Sequence, residues 1–291
     1  MATFGDCCGE PVDVQCMGGV GANGIQRGIT SHQSMTAAVI VESLVKRYGD
    51  VRAVDDISFT VEAGSTTALL GGNGAGKTTT ISMLLGLLLP TSGRISVLGE
   101  DMLLHRYRVL PRMNFTSPYV DLPKKLTVVE NLMVFAGLYG VPRPRRRIAA
   151  LVEELEIGDF ARRAYGTLSA GQRTRVSVAK ALLNTPELIL LDEPTASLDP
   201  DMGDRVRHSL MQYQKQTGAT LIIASHNMAE VERMCDSVLM MKGGRIVHRG
   251  SPDELIARFG RESMEEVFLD IARAGPAGQA PLHASARVAK P

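Results

Sequence analysis

The run GGNGAGKTTT at positions 71–80 constrains this chain more than any other part of it. A strand-like apolar stretch, 65–70, leads into it and a helix-like stretch, 79–89, leads out, so a strand feeds a Gly-rich turn that opens a helix. Read as G-x-x-x-x-G-K-[ST], the pattern fixes Gly71, Gly76, Lys77 and Thr78, with Gly72, Asn73, Gly74, Ala75 and Thr79 filling the loop. Glycines there let successive backbone N–H groups turn inward around an anion. The helix that starts near Gly76 adds its positive end, Lys77 reaches terminal phosphates, and the Thr78 hydroxyl is a ligand for Mg²⁺. A nucleoside triphosphate is the ligand this chemistry describes. The plainer alternative is a Gly-rich connection with no ligand.

The surrounding pattern is α/β. Short β-branched runs at 39–45, 51–54 and 57–61 read as strands separated by turns at Tyr48-Gly49-Asp50 and Asp55-Asp56. Beyond the loop, 90–93 reads as a turn and 94–98 as a strand. Apolar residues then recur at helical spacing in 128–138, 148–155 and 176–183. Strand and helix alternate again from 188: strands 188–191, 220–224, 238–241 and 245–247, helices 201–216 and 228–234, and closing helices 254–259 and 263–273. Such alternation builds a mostly parallel sheet between helices. Residues 1–35 and 274–291 lack periodicity and read as a disordered extension and tail. Strand-like patterning begins only at Ala37, which makes Met35 the expected start of the protein.

A second constellation lies downstream. The apolar strand 188–191 ends in Asp192-Glu193, and α/β sheets bind ligands at the carboxyl edge of their strands. Asp192 is placed to hold Mg²⁺ opposite Thr78, and Glu193 to polarise an attacking water; the bland alternative is an acidic Asp-Glu-Pro turn. Ser169, with Gln172 three residues on, has the form of a capping box, and a capped helix N-terminus also binds phosphate.

Phosphate loop, Leu168-Ser169-Ala170-Gly171-Gln172, Leu-Leu-Asp192-Glu193-Pro-Thr, Ser197-Leu198-Asp199 and Ser225-His226, in this order, resemble the ATP-binding-cassette ATPases over roughly 39–259. The resemblance implies a P-loop NTPase core, an N-terminal antiparallel β subdomain and an α-helical subdomain of about 115–183 inserted in an ATPase domain of 36–260, followed by a C-terminal helix, 261–273. It implies that ATP is the nucleotide and that Tyr48 stacks on adenine. Ser169, Gly171 and Gln172 would cap the γ-phosphate of ATP held by a second subunit, Asp199 would cross to that subunit, and His226 would contact γ-phosphate. The working form implied is a head-to-tail dimer, with a second copy or a homologous subunit, driving separate integral membrane permease subunits from the cytoplasmic face. One departure stands out. The glutamine that members carry after the strand entering the helical insert is missing from Met113-Asn114-Phe115-Thr116-Ser117-Pro118-Tyr119, and Ser117 or Pro118 takes its place. The segment 263–269 resembles the end of cassettes from ABC-2-type exporters, which suggests export of a drug-like, lipid or polysaccharide substrate. A soluble cassette ATPase acting on ribosomes or DNA is the alternative, but the single cassette here lacks the long insertion typical of those. A regulatory module without turnover is disfavoured by Glu193 and His226.

Composition narrows the field. A net charge of +1 argues against a broadly basic nucleic-acid binder, and no nucleic-acid partner is expected. Apolar runs fall far short of the roughly 20 residues that span a bilayer. Cys7, Cys8, Cys16 and Cys235 lack the paired spacing of a zinc site and are expected as free thiols, with a lipid or redox role for Cys7-Cys8 as the sharper reading. Arg143, Arg145, Arg146 and Arg147 read as a solvated helix start, with contact to anionic lipid headgroups as the alternative, and the methionines read as core fillers.

Overall fold

The computed structural model describes residues 37–117, 120–195 and 197–273. The expectations for 1–35, for 274–291 and for Pro118 lie outside the described residues. In chain order the elements are β1 (Ala37–Tyr48), β2 (Val51–Glu62), β3 (Thr66–Gly71), α1 (Lys77–Leu84), β4 (Ser92–Val97), β5 (Glu100–Asp101), α2 (Arg106–Val109) and β6 (Met113–Thr116). Three helices follow, α3 (Val128–Leu138), α4 (Pro144–Glu154) and α5 (Ala170–Leu182). The chain then runs through β7 (Leu188–Asp192), α6 (Pro200–Thr217), β8 (Thr220–Ala224), α7 (Met228–Met234), β9 (Ser237–Lys242), β10 (Arg245–Gly250), α8 (Pro252–Phe259) and α9 (Met264–Arg273).

These strands form two sheets. One is antiparallel, in the order β2-β1-β4-β5. The other, in the order β10-β9-β3-β8-β7-β6, is parallel throughout except for β10 at its edge. The α/β class with a mostly parallel sheet is therefore the observed one. Because successive side chains of a strand point to opposite faces, the central strands are apolar on both. Leu69, Leu188, Leu190, Ile222 and Leu239 face a core shared with β1, β2, β4 and α1. Ala68, Leu70, Ile189, Leu191, Leu221 and Ile223 face the opposite core, where the long helices pack. Met83, Met102, Met113, Met234, Met240 and Met264 are buried, as core-filling thioethers should be.

Three local expectations are corrected. Asp55-Asp56 is no turn. β2 runs through it, and the register against β1 slips between Leu44 and Lys46 while Asp56 takes a φ of 54°. The bulge is held because Asp55 pairs with Arg52 at 2.8 Å and with Arg245 at 2.7 Å, the latter far off in sequence. The helix after the phosphate loop ends at Leu84 rather than near Leu89, because Gly86 adopts a φ of 66° just beyond its end, the left-handed conformation that stops helices. Arg147 does not belong to a solvated cluster: Arg145 and Arg146 are exposed, whereas Arg147 Nη2 donates to Leu182 O at 2.6 Å and ties α4 to the end of α5.

Candidate functional site

β3, β8 and β7 lie side by side, so their carboxyl ends bring Gly71, Ser225 and Asp192 to one sheet edge. At the first of these ends the backbone at Gly71 and at Gly76 is fitted to its neighbours with no room for a side chain. A Cβ on Gly76, whose φ is 104°, would sit 2.6 Å from Ala53 O, and one on Gly71 would sit 2.5 Å from Met241 O. Ala53 belongs to the β1–β2 hairpin, so the hairpin that carries Tyr48 also abuts the loop. The Tyr48 ring is half exposed at the hairpin end, 5.1 Å from Lys46 Nζ. Lys77 Nζ donates to Gly71 O at 2.6 Å and to Gly72 O at 3.1 Å. Burial lowers the Lys77 pKa, and the Glu193 and Asp192 carboxylates oppose that shift by attraction. Thr78, at the start of α1, is exposed.

At the end of β7, Asp192 Oδ2 accepts from Ser117 Oγ at 3.0 Å. Ser117, one of the two candidates for the place of the expected glutamine, thus reaches the carboxylate expected to hold the metal. Glu193 follows with a φ of 52°, in the left-handed region, and its N–H donates to Ala224 O at 2.8 Å. Its side chain is 19% exposed, and Oε1 lies 2.6 Å from His226 Nδ1, whose ring is 79% exposed. Burial pushes the Glu193 carboxyl above its ordinary value; the His226 contact pulls it down, while Asp192 and Glu230 add to the rise.

The Ser169 motif opens α5. Ser169 Oγ accepts from Gln172 N at 3.2 Å and Gln172 Oε1 accepts from Ser169 N at 3.0 Å, so the capping box is formed. A Cβ on Gly171 would lie 3.1 Å from Ser197 O, which seats this turn against the segment leading to Asp199. Asp199 caps α6, its Oδ1 accepting from Met202 N at 3.0 Å. Among the described residues no hydrogen bond joins the Ser169–Gln172 turn to the Gly71–Thr79 loop. A cavity of about 250 Å³ separates Ser117, Asp192 and Glu193 from Ala170, Arg173 and Ser177 of α5.

One participant escaped the sequence reading. Glu230 is 1% exposed and accepts from Thr195 Oγ1 at 3.0 Å and from Ser225 Oγ at 2.6 Å. The sequence signal points the wrong way, since Glu three residues after Asn227 at a helix start reads as an outward capping residue.

A phosphate-binding turn and a carboxylate-tipped strand at one edge of a parallel sheet, with a second, antiparallel sheet packed over the helix that follows the turn, define a P-loop ATPase. Residues 54–196 match the family model described as ABC transporter. The chain is 38% identical over 226 residues to the Nod factor export ATP-binding protein I of Ralstonia nicotianae, an alignment covering 76% of this chain and 69% of that protein. Among solved structures, an ATP-binding subunit of an ABC transporter superposes with a TM-score of 0.75 at 28% identity, covering 82% of this chain and all of that one. The cbiO1 protein of Clostridium perfringens, part of the ABC transporter complex cbiONQ, superposes with a TM-score of 0.68 at 31% identity, covering 76% and 91%. The chain belongs to the ABC transporter family, and within it to the ATP-binding subunits, which bind and hydrolyse ATP.

Proposed function

We propose that this subunit powers export through separate membrane subunits, closing with a second copy or a homologous subunit around ATP and reopening after hydrolysis. The observation that carries the reading is the convergence of Lys77, Asp192, Glu193 and His226 at one sheet edge, with the Glu193–His226 contact at 2.6 Å. In this reading Glu193 takes a proton from the attacking water, a task that a partly buried carboxylate with a raised pKa suits. The backbone of Gly71 to Thr79 and Lys77 bind the phosphates, Tyr48 stacks on adenine, and His226 meets the γ-phosphate through its exposed ring.

Thr78, Asp192 and Ser117 offer hydroxyl and carboxylate oxygens, a donor set that fits Mg²⁺ shared with substrate phosphates. Held by these residues, Mg²⁺ would supply positive charge to offset that of the bound phosphates. Among the described residues, Ser169, Gly171, Gln172 and Asp199 make no hydrogen bond to the chain's own phosphate loop, which supports their serving the ATP of a second subunit. The unit 36–260 acts as the ATPase domain, with the helices of about 115–183 as its inserted subdomain.

No helix among the described residues is long and apolar enough to cross a membrane. In this reading the chain docks on its membrane subunits from the cytoplasmic face. Leu104, Tyr107, Val134 and Leu138 are exposed apolar side chains. The relatives named as export proteins favour the outward direction. The deciding experiment pairs two measurements. Glu193→Gln is expected to bind ATP but release phosphate about a hundredfold or more slowly, and wild-type protein is expected to co-purify with an integral membrane protein. Normal phosphate release by the variant, or recovery of the native protein on ribosomes or DNA, overturns the reading.

A further inference from the structure

The backbone at Glu193 is in a conformation that non-glycine residues occupy only where their surroundings enforce it, with a φ of 52°. One restraint is its own N–H on Ala224 O. The other comes from Glu230, whose side chain is enclosed between the two loops that carry Glu193 and His226. Oε1 accepts from Thr195 Oγ1 at 3.0 Å, two residues after Glu193, and Oε2 accepts from Ser225 Oγ at 2.6 Å, one residue before His226.

We propose that Glu230 is a positioning residue for ATP hydrolysis, its buried carboxylate bridging Thr195 and Ser225 so that Glu193 and His226 are held in contact. This rests on the roles proposed above for those two residues. Both hydroxyls donate to the carboxylate, so their O–H directions are fixed. Ser225 Oγ is thereby left to accept from Asn227 N, at 3.1 Å, which sets the backbone on the far side of His226. Asn227 in turn closes the circuit, its Oδ1 accepting from Glu230 N at 3.2 Å. A bridge of this kind acts on the orientation of the hydrolytic pair and leaves the phosphate loop untouched, so its loss should lower turnover and spare ATP binding.

The test is steady-state ATP turnover and ATP binding by the purified full chain carrying Glu230→Ala, Glu230→Gln, Thr195→Val or Thr195→Val with Glu230→Gln. Misplacing a reacting group costs much of its rate effect, so Glu230→Ala is expected to lose about tenfold or more in kcat while the ATP Kd stays within about threefold. Glu230→Gln is expected to recover kcat to within about threefold, because the amide oxygen still accepts from Ser225 and the amide nitrogen can donate to Thr195. Thr195→Val should lose kcat several-fold at unchanged Kd, and the double variant should be no slower than Thr195→Val, because both changes act on one bridge. Where Glu230→Ala fails to fold, the Thr195→Val pair decides alone. Wild-type kcat in Thr195→Val, additive losses in the double variant, or ATP affinity falling in step with kcat would overturn the bridge. Glu193→Gln measured alongside keeps the two readings apart: if it turns over ATP normally the assigned base is wrong, whereas an inactive Glu193→Gln with a fully active Thr195→Val refutes Glu230 alone.

Discussion

Glu193 and His226 meet at 2.6 Å, a mostly enclosed carboxylate against a ring that is four-fifths open to solvent. The asymmetry has an electrostatic consequence. Burial holds the Glu193 carboxyl above its ordinary value, Asp192 and Glu230 push the same way, and the hydrogen bond and charge of His226 are the opposing influences. Lys77, whose ammonium is attracted to Glu193, faces it from the phosphate loop. A base must be ionised to accept a proton, so kcat should fall as pH drops through the Glu193 pKa. His226→Ala removes what pulls that pKa down. The acid limb of its residual kcat–pH profile is therefore expected to move to higher pH than in wild type, as well as kcat to fall. An unmoved limb would show that another group titrates there.

Ser117 is one of the two residues, with Pro118, that can take the place of the family's glutamine, and its Oγ donates to Asp192 Oδ2 at 3.0 Å. Partners that orient a metal-binding carboxylate commonly carry about tenfold in metal affinity. Ser117→Ala is expected to raise the Mg²⁺ concentration needed for half-maximal ATP turnover by about that factor. Turnover with the membrane partner should also slow. A Mg²⁺ titration indistinguishable from wild type counts against a part for Ser117 in this site.

The placement of the candidate site on the fold was largely legible in the sequence because it depends on contiguous runs. Gly71 to Thr80, Ser169 to Gln172 and the Asp192-Glu193 pair each sit on the strand end or helix start that their flanking residues dictate. What escaped depends on distant partners. Asp55-Asp56 has turn composition, yet Arg245, met only through β10, holds it in a strand. Arg147, Lys180 and Glu230 carry charges that sequence patterning assigns to solvent, and each is drawn inward by an acceptor or donor on another element. A charge turned inward leaves no periodic trace, because it breaks the pattern by which inward faces are recognised.

Ser169 combines a structural task with the proposed functional one, and two substitutions separate them. Ser169→Ala removes the acceptor for Gln172 N and is expected to cost about 1 kcal/mol of stability. Ser169→Asp restores a capping acceptor and so most of that stability, but places a negative charge where a phosphate of the second subunit is expected. Denaturant unfolding should rank Asp near wild type and Ala below it, whereas ATP turnover should be low in both. Turnover that recovers with the cap would mean that Ser169 serves only the helix.

Lys180 offers the clearest pH signature in the fold. Its Nζ donates to Phe115 O at 2.7 Å and lies 5.8 Å from the Phe135 ring, and burial lowers its pKa from 10.5 to about 8. Between those values the unfolded chain binds the proton and the folded chain releases it, so stability attributable to this group rises with pH across the window. Below about pH 8 the folded state bears the full cost of enclosing the ammonium, on the order of 3 kcal/mol. Lys180→Met removes that cost along with the hydrogen bond to Phe115, which as a charged donor is worth about 2 kcal/mol. At neutral pH the two offset to within about 1 kcal/mol, and the variant should unfold at or slightly above wild type. As pH is raised toward 10 the wild-type amine becomes neutral and keeps its hydrogen bond, so wild type should gain on the variant steadily. Urea unfolding of both proteins at a series of pH values checks this. A difference that stays constant with pH would place the ammonium in a more hydrated setting than its contacts with Phe115 and Phe135 imply.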